Sequence, residues 1–425
     1  MNKWLRTLTP TLVSSGALVA LLMLNGAAYA QTTPAPAAPA AAAPAAPAAP
    51  AAEPPPQFLG MDFTSFADVG FSDFTTGKGT FVGGGHARTF DWENGAVSVQ
   101  SVDVQLQKTP DSGFGGLIDL TIGKDADTIH SYGTVDTNKG PYFADVAADG
   151  TKPSQTYFDP TQLYAYYGMG AANVIFGKFA THAGQEVIKS RDDTNFSRSI
   201  LFGFAIPFTH TGLRATFKPS DSLALLVGAN EGWDTVTDKN KDVTGEFGWE
   251  WSPAKAFSFF GTYLSGKEKL VNYPKAAFDA DSTTATRNLV DLIFTYNATD
   301  SLSLVLNYDN GSQEKSSLFN GKTATWSGEA LYVNYGINDD WRISVLGESF
   351  SDTDGARIGV VEPGKTTGPT WSEGTFTVAY MGIKKIELRG ELRSDSADQK
   401  IFSDAKGEKA INSMTSIGLE GIYKF

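Results

Sequence analysis

The last eleven residues of the chain alternate in polarity from one residue to the next. Successive side chains of a β-strand point to opposite sides, so one face of this segment is apolar and aromatic. That face carries Ile417, Leu419, Gly421, Tyr423 and Phe425, and the other carries Ser416, Gly418, Glu420 and Lys424. A strand of this kind is typical of a membrane β-barrel, which must satisfy every backbone hydrogen bond between strands. A half-buried strand of a soluble sandwich gives the same pattern.

The same two-residue period recurs along most of the chain. Near residue 249, for example, Phe247, Trp249 and Trp251 alternate with glutamates and glycine. We predict about sixteen strands, an even number that leaves both termini on one side of the membrane. The predicted strands are 58–71, 96–107, 114–123, 161–168, 173–179, 211–218, 223–231, 244–251, 257–265, 287–296, 302–309, 325–336, 341–350, 375–382, 386–393 and 413–425.

Short turns and long polar connections alternate between these strands. Tight turns such as Pro110-Asp111-Ser112-Gly113 contain the residues that turns require. The long connections are 72–94, 124–159, 232–243, 267–286, 311–323, 351–374 and 394–412. Outer-membrane barrels have short periplasmic turns and long outer loops. The sequence therefore predicts an all-β, transmembrane antiparallel β-barrel.

The N-terminal region predicts export and a spacer before the barrel. Lys3 and Arg6 precede an apolar run and Ala28-Tyr29-Ala30, the pattern of a cleaved signal peptide at 1–30. A single membrane anchor is the alternative, but the run is short for a bilayer span. Residues 31–57 are almost only Ala and Pro, which favours a semi-rigid periplasmic linker or a contact with the cell wall. The barrel then occupies 58–425.

Composition limits the classes of function. After removal of the signal peptide, 32 basic and 47 acidic residues remain, a formal charge of −15. A strongly acidic protein is a poor candidate for binding nucleic acid. The sequence has no cysteine, which excludes disulfides and thiolate metal sites. The 44 glycines, 28 phenylalanines and 8 tryptophans fit many short strands with aromatic residues at the membrane interfaces.

Four charged residues share one face of the predicted strand 386–393. They are Glu387, Arg389, Glu391 and Arg393, and they oppose Ile386, Leu388 and Leu392. Burying four charges in an apolar environment is costly, and a barrel of about sixteen strands encloses water. We therefore expect them in a wet lumen. The exposed face of a soluble sheet would give the same pattern.

The segment 177–212 is long and carries apolar residues that a solvated loop has no reason to expose. We expect it to fold inward against the barrel wall and to narrow the pore, because Phe196, Phe202 and Phe208 favour burial. Its charged residues would then set up a field across the constriction. They are Glu186, Lys189, Arg191, Asp192, Asp193 and Arg198, opposite the wall residues Arg214, Glu387, Arg389, Glu391 and Arg393. Capping of the rim or packing at a subunit interface is the alternative.

This segment also resembles a known family. The runs Gly177-Lys178-Phe179, Asn195-Phe196-Ser197-Arg198-Ser199 and Phe202-Gly203-Phe204-Ala205-Ile206-Pro207-Phe208-Thr209-His210-Thr211-Gly212 are similar to the core of the β-barrel porin-2, OmpL-like family. The resemblance is close here and extends as alternating strands over nearly the whole mature chain. It implies a channel in the outer membrane of a Gram-negative cell, with no enzymatic activity. The Ala/Pro segment lies outside that pattern.

Other chemistries have weaker support. Residues 359–366 match the P-loop pattern, but Thr367-Gly368-Pro369 cannot begin the helix that a phosphate site needs. His210, Ser197 and Asp192 could form a hydrolase triad only if the fold brought them together. No spacing of the four histidines indicates a metal site. We expect no cofactor and no metal.

Passive diffusion of small hydrophilic solutes or ions across the outer membrane is the function that these observations favour. Its partners would be outer-membrane lipid, the solutes and, by analogy with other sixteen-strand channels, two further copies in a homotrimer. Two alternatives come from other classes: a non-conducting barrel for adhesion or wall anchoring, and an outer-membrane hydrolase.

Overall fold

The computed structural model describes residues 55–82, 85–133, 157–236, 241–269 and 284–425. The predicted signal peptide and nearly all of the Ala/Pro linker lie outside the described residues. The last predicted linker residue, Gln57, and the adjacent Phe58 pair with Asp62 and Met61 at the start of the barrel.

Sixteen long strands make up the fold, as the alternation predicts. Their bounds are β1 Met61–Thr76, β2 Ala96–Lys108, β3 Ser112–Ile122, β4 Phe158–Met169, β5 Ala172–Ala180, β6 Thr209–Ser220, β7 Leu223–Asn230, β8 Thr244–Ala254, β9 Phe257–Lys269, β10 Thr284–Asn297, β11 Leu302–Gln313, β12 Ala324–Gly336, β13 Trp341–Ser351, β14 Thr370–Ile383, β15 Ile386–Ala397 and β16 Ser413–Lys424.

The strands form one closed antiparallel barrel. Each strand pairs with its neighbours in sequence, and the last strand, β16, pairs with the first. At this closing seam Gly418 lies opposite Ser72, and Glu420 lies opposite Gly70. Closure leaves no unpaired edge in the hydrocarbon region of a bilayer. The predicted fold class is therefore confirmed.

Tight turns join the strands at one end of the barrel, and long connections join them at the other. The tight-turn end also holds both ends of the barrel chain, and we therefore expect it to face the periplasm. Several strands extend further outward than predicted, since residues 72–76, 311–313, 370–374 and 394–397 belong to strands. Their polar sequence suggested loop, but their backbone groups pair across neighbouring strands.

The two faces of the barrel wall differ in polarity and in exposure. Leu392 and Leu419 on the outer surface are 58% and 59% exposed, whereas Arg393 and Glu420 on the inner surface are 3% and 4% exposed. The outward residues are those that lipid would contact. The inward charged residues are covered by other parts of the protein.

The helices are short. Helix α1, Lys124–Gly133, follows β3, and a 3-10 turn at Ser190–Asp192 and a π-helical turn at Leu201–Ala205 lie between β5 and β6. Among the described residues, no helix has the length and apolar character needed to cross a bilayer.

Candidate pore constriction

Loop 3, defined here as residues 181–208 between β5 and β6, lies inside the barrel. Its π-helical turn packs into a buried apolar cluster with inward-facing wall residues such as Trp326, Phe350 and Trp371. The indole Nε1 of Trp326 donates a hydrogen bond to the Ala205 carbonyl at 3.1 Å. The apolar residues that predicted burial of this loop are therefore buried within the barrel.

Two arginines of β15 hold the loop by its carbonyl groups. Arg389 Nη1 donates to the carbonyls of Ser190 at 3.0 Å and Asn195 at 3.1 Å, and its Nη2 donates to the Asp193 carbonyl at 2.7 Å. Arg393 Nη1 donates to the Arg198 carbonyl at 2.6 Å. A guanidinium has five N–H donors in a rigid fork, so each side chain can bond both the loop and the wall.

Two glutamates of the wall hold the loop by its amide groups. Glu391 of β15 accepts from the Phe196 amide at 2.8 Å and the Ser197 amide at 3.1 Å. Glu348 of β13 accepts from the Leu201 amide at 3.0 Å and from the Ile200 amide. Hydrogen bonds to charged groups are stronger than those between neutral groups. Together, the four wall side chains bind the loop main chain at both its donors and its acceptors.

Phe196 inserts into a notch at the closing seam. A Cβ atom added at Gly70 of β1 would lie 2.7 Å from the Phe196 ring, and one added at Gly418 of β16 would lie 2.8 Å from it. Both contacts are shorter than van der Waals distance. Glycine is therefore needed on both strands for the ring to enter.

The loop is also braced by its own charged residues. The buried Glu186 carboxylate accepts from the Ser199 amide at 2.7 Å and the Ser199 hydroxyl at 2.8 Å. Arg198 Nε lies 2.9 Å from Asp193 Oδ2, and Asp193 Oδ1 accepts from the Val187 amide. Burial is the main cause that raises the pKa of Glu186 to about 8. These three charged residues therefore stabilise the loop conformation itself.

Lys189 connects the loop to wall strands on the other side of the closing seam from β15. Its ammonium group lies 2.9 Å from Asp103 of β2, 2.9 Å from Asp119 of β3 and 2.5 Å from the Gln105 amide oxygen. The hydroxyl of the adjacent Ser190 donates to Asp68 of β1 at 2.6 Å. The loop is thus bound to wall strands on two sides of the barrel.

Arg191 and Asp192 are the least buried of the predicted constriction residues. Their side chains are 19% and 44% exposed and lie 3.4 Å apart. The Arg191 guanidinium lies over the Phe66 ring, 5.2 Å from its centroid. Of the six predicted loop charges, these two have the greatest access to solvent.

The predicted wall residues form ion pairs. Arg214 binds Glu246 at 2.7 Å and donates to the Ala180 carbonyl, just before loop 3. Glu387 binds both Arg389, at 2.8 Å, and Arg342, at 2.7 Å. Arg214 therefore fixes the entry of the loop, and Glu387 orients the arginine that binds its carbonyls.

The expectation that the four charges of β15 stand in a water-filled lumen needs correction. Glu387, Arg389, Glu391 and Arg393 do face inward, but their exposed fractions are only 2–6%. The alternation showed which way they point and carried no information on what covers them. Loop 3 binds Arg389, Glu391 and Arg393 directly, and Glu387 is buried by its ion pairs with Arg389 and Arg342.

Several residues of the site were missed by sequence reasoning. Glu348, Asp103 and Asp119 each lay on a polar strand face, so alternation gave their direction but not their partner. Gly70 and Gly418 carried no signal, since their role depends on the pairing of two strands nearly 350 residues apart in the chain.

The two enzymatic motifs do not assemble. The ring nitrogens of the buried His210 bond the Gly232 carbonyl at 3.1 Å and the Thr181 hydroxyl at 3.2 Å, in place of Ser197. Residues 359–366 form an irregular outer connection, and no helix begins at Lys365. Neither the hydrolase arrangement nor the phosphate loop is formed.

Solved structures that resemble this fold include an outer-membrane channel, an outer-membrane protein and a porin. The outer membrane channel DcaP of Acinetobacter baumannii is 13% identical, with a TM-score of 0.54 and coverage of 86% of this chain and 97% of that one. The trimer form of Vibrio cholerae OmpT is 10% identical, with a TM-score of 0.54 and coverage of 86% and 99%. An anion-selective porin from Comamonas acidovorans is 8% identical, with a TM-score of 0.53 and coverage of 86% and 100%. At these identities the likeness shows the fold alone.

Sequence comparison gives the family. None of the curated proteins matches the chain. The family described as Putative beta-barrel porin-2, OmpL-like, matches residues 62–425, which is nearly the whole barrel. This is the family that the loop 3 motif resembles, and its description as a porin family indicates an outer-membrane location. The chain belongs to the β-barrel porin-2, OmpL-like family.

Proposed function

We propose that this protein is a channel for passive diffusion of small hydrophilic solutes, and that loop 3 forms its constriction. The observation that supports the proposal is the attachment of loop 3 to inward-facing wall side chains through its main chain, at both amides and carbonyls. A loop held in this way presents a fixed obstacle inside the barrel. Solutes would therefore be sorted by size at one level of the pore.

Charged residues of the loop would add a preference for charge. Arg191 and Asp192 have the most solvent access among the predicted loop charges, so we assign to them the contact with passing solutes. Glu186, Lys189, Asp193 and Arg198, with the wall residues Arg214, Glu387, Arg389, Glu391 and Arg393, would set the position of that contact. This division separates the residues that solutes meet from those that hold the loop.

Assembly and export complete the proposal. OmpT of Vibrio cholerae has a trimer form, and a homotrimer is our proposal for this chain. Residues 1–30 would direct export as a signal peptide, and residues 31–57 would span part of the periplasm or contact the cell wall. The mass of the detergent-solubilised protein tests the homotrimer. The N-terminal sequence of the mature protein tests removal of residues 1–30.

Planar-bilayer recording of the purified protein tests conduction. We expect discrete conductance steps and an upper size limit in experiments with neutral polymers of graded size. Replacing residues 184–199 with a short Gly-Ser linker should increase both the conductance and the size limit. A Gly-Ser replacement of the exposed residues 363–367, in the outer connection between β13 and β14, is the control.

Two results would contradict the proposal. A folded barrel without conductance would favour the adhesion or anchoring alternative. A size limit unchanged by the loop 3 replacement would show that the constriction lies elsewhere. Heat-dependent mobility of each variant in detergent gels establishes that its barrel is folded.

A further inference from the structure

Two aspartates lie side by side on the inner wall beneath the first residues of loop 3. Asp291 of β10 and Asp309 of β11 are directly opposite each other in the strand register. Both are completely buried, with exposed fractions of 0%. Side chains at directly opposed positions of an antiparallel pair are close neighbours, so the two carboxyl groups face each other in the buried interior.

The pair lacks the donors that two ionised carboxylates would need. Neither oxygen of Asp309 and only one oxygen of Asp291 has a hydrogen-bond donor among the described residues. Each carboxyl is nevertheless within hydrogen-bonding reach of the other. No lysine or arginine of the described chain forms an ion pair with either aspartate. Two adjacent buried carboxylates cannot both remain ionised without such compensation.

Other charged groups around the pair do not remove this conflict. Glu348 of β13 faces Asp309 and adds negative charge, while the His182 ring of loop 3 faces Asp291. His182 is itself engaged by the Thr262 hydroxyl at 2.7 Å and by Glu250 at 3.2 Å. A proton shared by the two aspartates would pair one oxygen of each and remove one of the two negative charges.

The aspartate pair is connected to loop 3. The Gly184 amide lies within hydrogen-bonding reach of Asp291. Asn307, whose Nδ2 donates to Asp291 at 2.7 Å, accepts from the Gln185 amide at 3.2 Å. Gly184 has a φ of +95°, and a Cβ there would lie 2.4 Å from Ile206. The first turn of the loop is therefore tightly fitted above the aspartates.

We propose that Asp291 and Asp309 form a proton-binding site that holds the entry of loop 3 against the wall. The protonated carboxyl of one aspartate donates to the carboxylate of the other, so the pair carries one negative charge. When that proton is released to water at alkaline pH, the two negative charges repel each other beneath the loop. The entry of loop 3 then loosens, which makes the conductance depend on pH. The effect on conductance rests on the channel function proposed above; the proton site does not.

Infrared difference spectroscopy of the folded barrel tests the proton site independently of conduction. Every protein in this test carries Glu186→Gln, because burial also raises the pKa of Glu186. At neutral pH we expect a carbonyl band from a protonated carboxylic acid that disappears on alkaline titration. Burial also raises the pKa of other carboxyls, such as that of Asp125 to about 8, so the aspartate pair is read from the difference between variant and parent. Asp309→Asn and Asp291→Asn should each remove the same component of the band. Asp300→Asn, at an exposed position in the turn between β11 and β10, should leave it unchanged.

The outcomes separate the two proposals. A band lost in either aspartate variant supports the proton site, even if the barrel does not conduct. Difference spectra in which neither folded variant has lost a component of the band would overturn it. If neither variant folds, the parent protein decides, because absence of an alkaline-titrating carboxylic acid band would equally overturn the site. In a conducting barrel, the alkaline change in conductance should be lost in Asp309→Asn.

Discussion

The two ends of the barrel interior differ in what fills them. At the level of loop 3, which we call the loop-filled interior, inward side chains such as Asp309, Glu348 and Arg389 are buried under loop main chain. Near the tight turns, at the periplasmic mouth, the inward residues Asn297, Ser303 and Asn334 are small or polar and remain partly or fully exposed. Most of the buried charged side chains described above bind loop main chain, whereas Glu387, beside a tight turn of β15, is buried by its ion pairs with Arg342 and Arg389.

The difference predicts where substitutions should matter. Changes in the loop-filled interior should affect both stability and conductance, because charges there are compensated by specific partners. Changes at the periplasmic mouth should affect neither strongly. The following substitutions test that contrast.

Removal of Arg389 should have the largest effect. Arg389→Ala removes the guanidinium that lies 2.8 Å from Glu387 and 2.9 Å from Glu420. It also leaves three loop carbonyls without the donor that they have in the parent protein. Breaking a buried ion pair costs about 3–5 kcal/mol. We expect a loss of that size in the free energy of unfolding by guanidinium chloride, and a larger conductance.

Arg191→Ala is the matched control for Arg389→Ala. The Arg191 pair with Asp192 is partly exposed, so its loss should change the free energy of unfolding by less than about 1 kcal/mol. Equal losses in the two variants would remove the distinction between loop-holding and solute-contacting arginines.

A methyl group at the closing seam should displace Phe196. Gly418→Ala places a Cβ 2.8 Å from the ring, and overpacking of this kind typically costs about 1–3 kcal/mol. We expect reduced stability and noisier single-channel currents. Gly374→Ala in β14, where an added Cβ meets nothing within 4 Å, is the control and should behave as the parent protein.

Glu186 should give the loop-filled interior a pH dependence. Its pKa is raised from 4.5 to about 8 by burial, so it stabilises the folded loop fully below pH 4.5. That contribution is lost as the pH rises through about 8. Glu186→Gln keeps an acceptor for Ser199 and removes the titrating group. Its free energy of unfolding should therefore vary less with pH between 4.5 and 8 than that of the parent. The same pH dependence in both proteins would contradict the prediction.

Ser303→Gln at the periplasmic mouth should have the smallest effect. Ser303 lies opposite Asn297 and Asn334 and is partly exposed. Substitutions at such open positions usually change stability by no more than about 0.5 kcal/mol. A large change in unfolding free energy or in polymer size limit would show that the mouth is as constrained as the loop-filled interior.

Much of the fold could be predicted because alternation is a local property. The opposed faces of β15 and β16 identified the lipid side and the inner side correctly. The alternation of short turns and long connections predicted the sixteen strands. The inward position of loop 3 followed from apolar residues such as Phe202 that a solvated loop would not carry. Each of these inferences needed only neighbours in sequence.

The site was less predictable because its contacts are between distant segments. Alternation showed that Glu391 points inward, but not that loop amides would cover it. The position of the Phe196 ring depends on Gly70 of β1 and Gly418 of β16 lying close together. Only the pairing of these two strands at the closing seam shows this. Likewise, the opposition of Asp291 and Asp309 follows from the register of β10 and β11.

Wall side chains bind the backbone amide and carbonyl groups of loop 3, and this has an evolutionary consequence. Arg389, Arg393, Glu348 and Glu391 contact atoms that every amino acid has, so most exchanges of loop side chains leave those bonds intact. Descendants of this protein could therefore acquire new solute preferences through changes at positions such as 191 and 192 while inheriting the same scaffold.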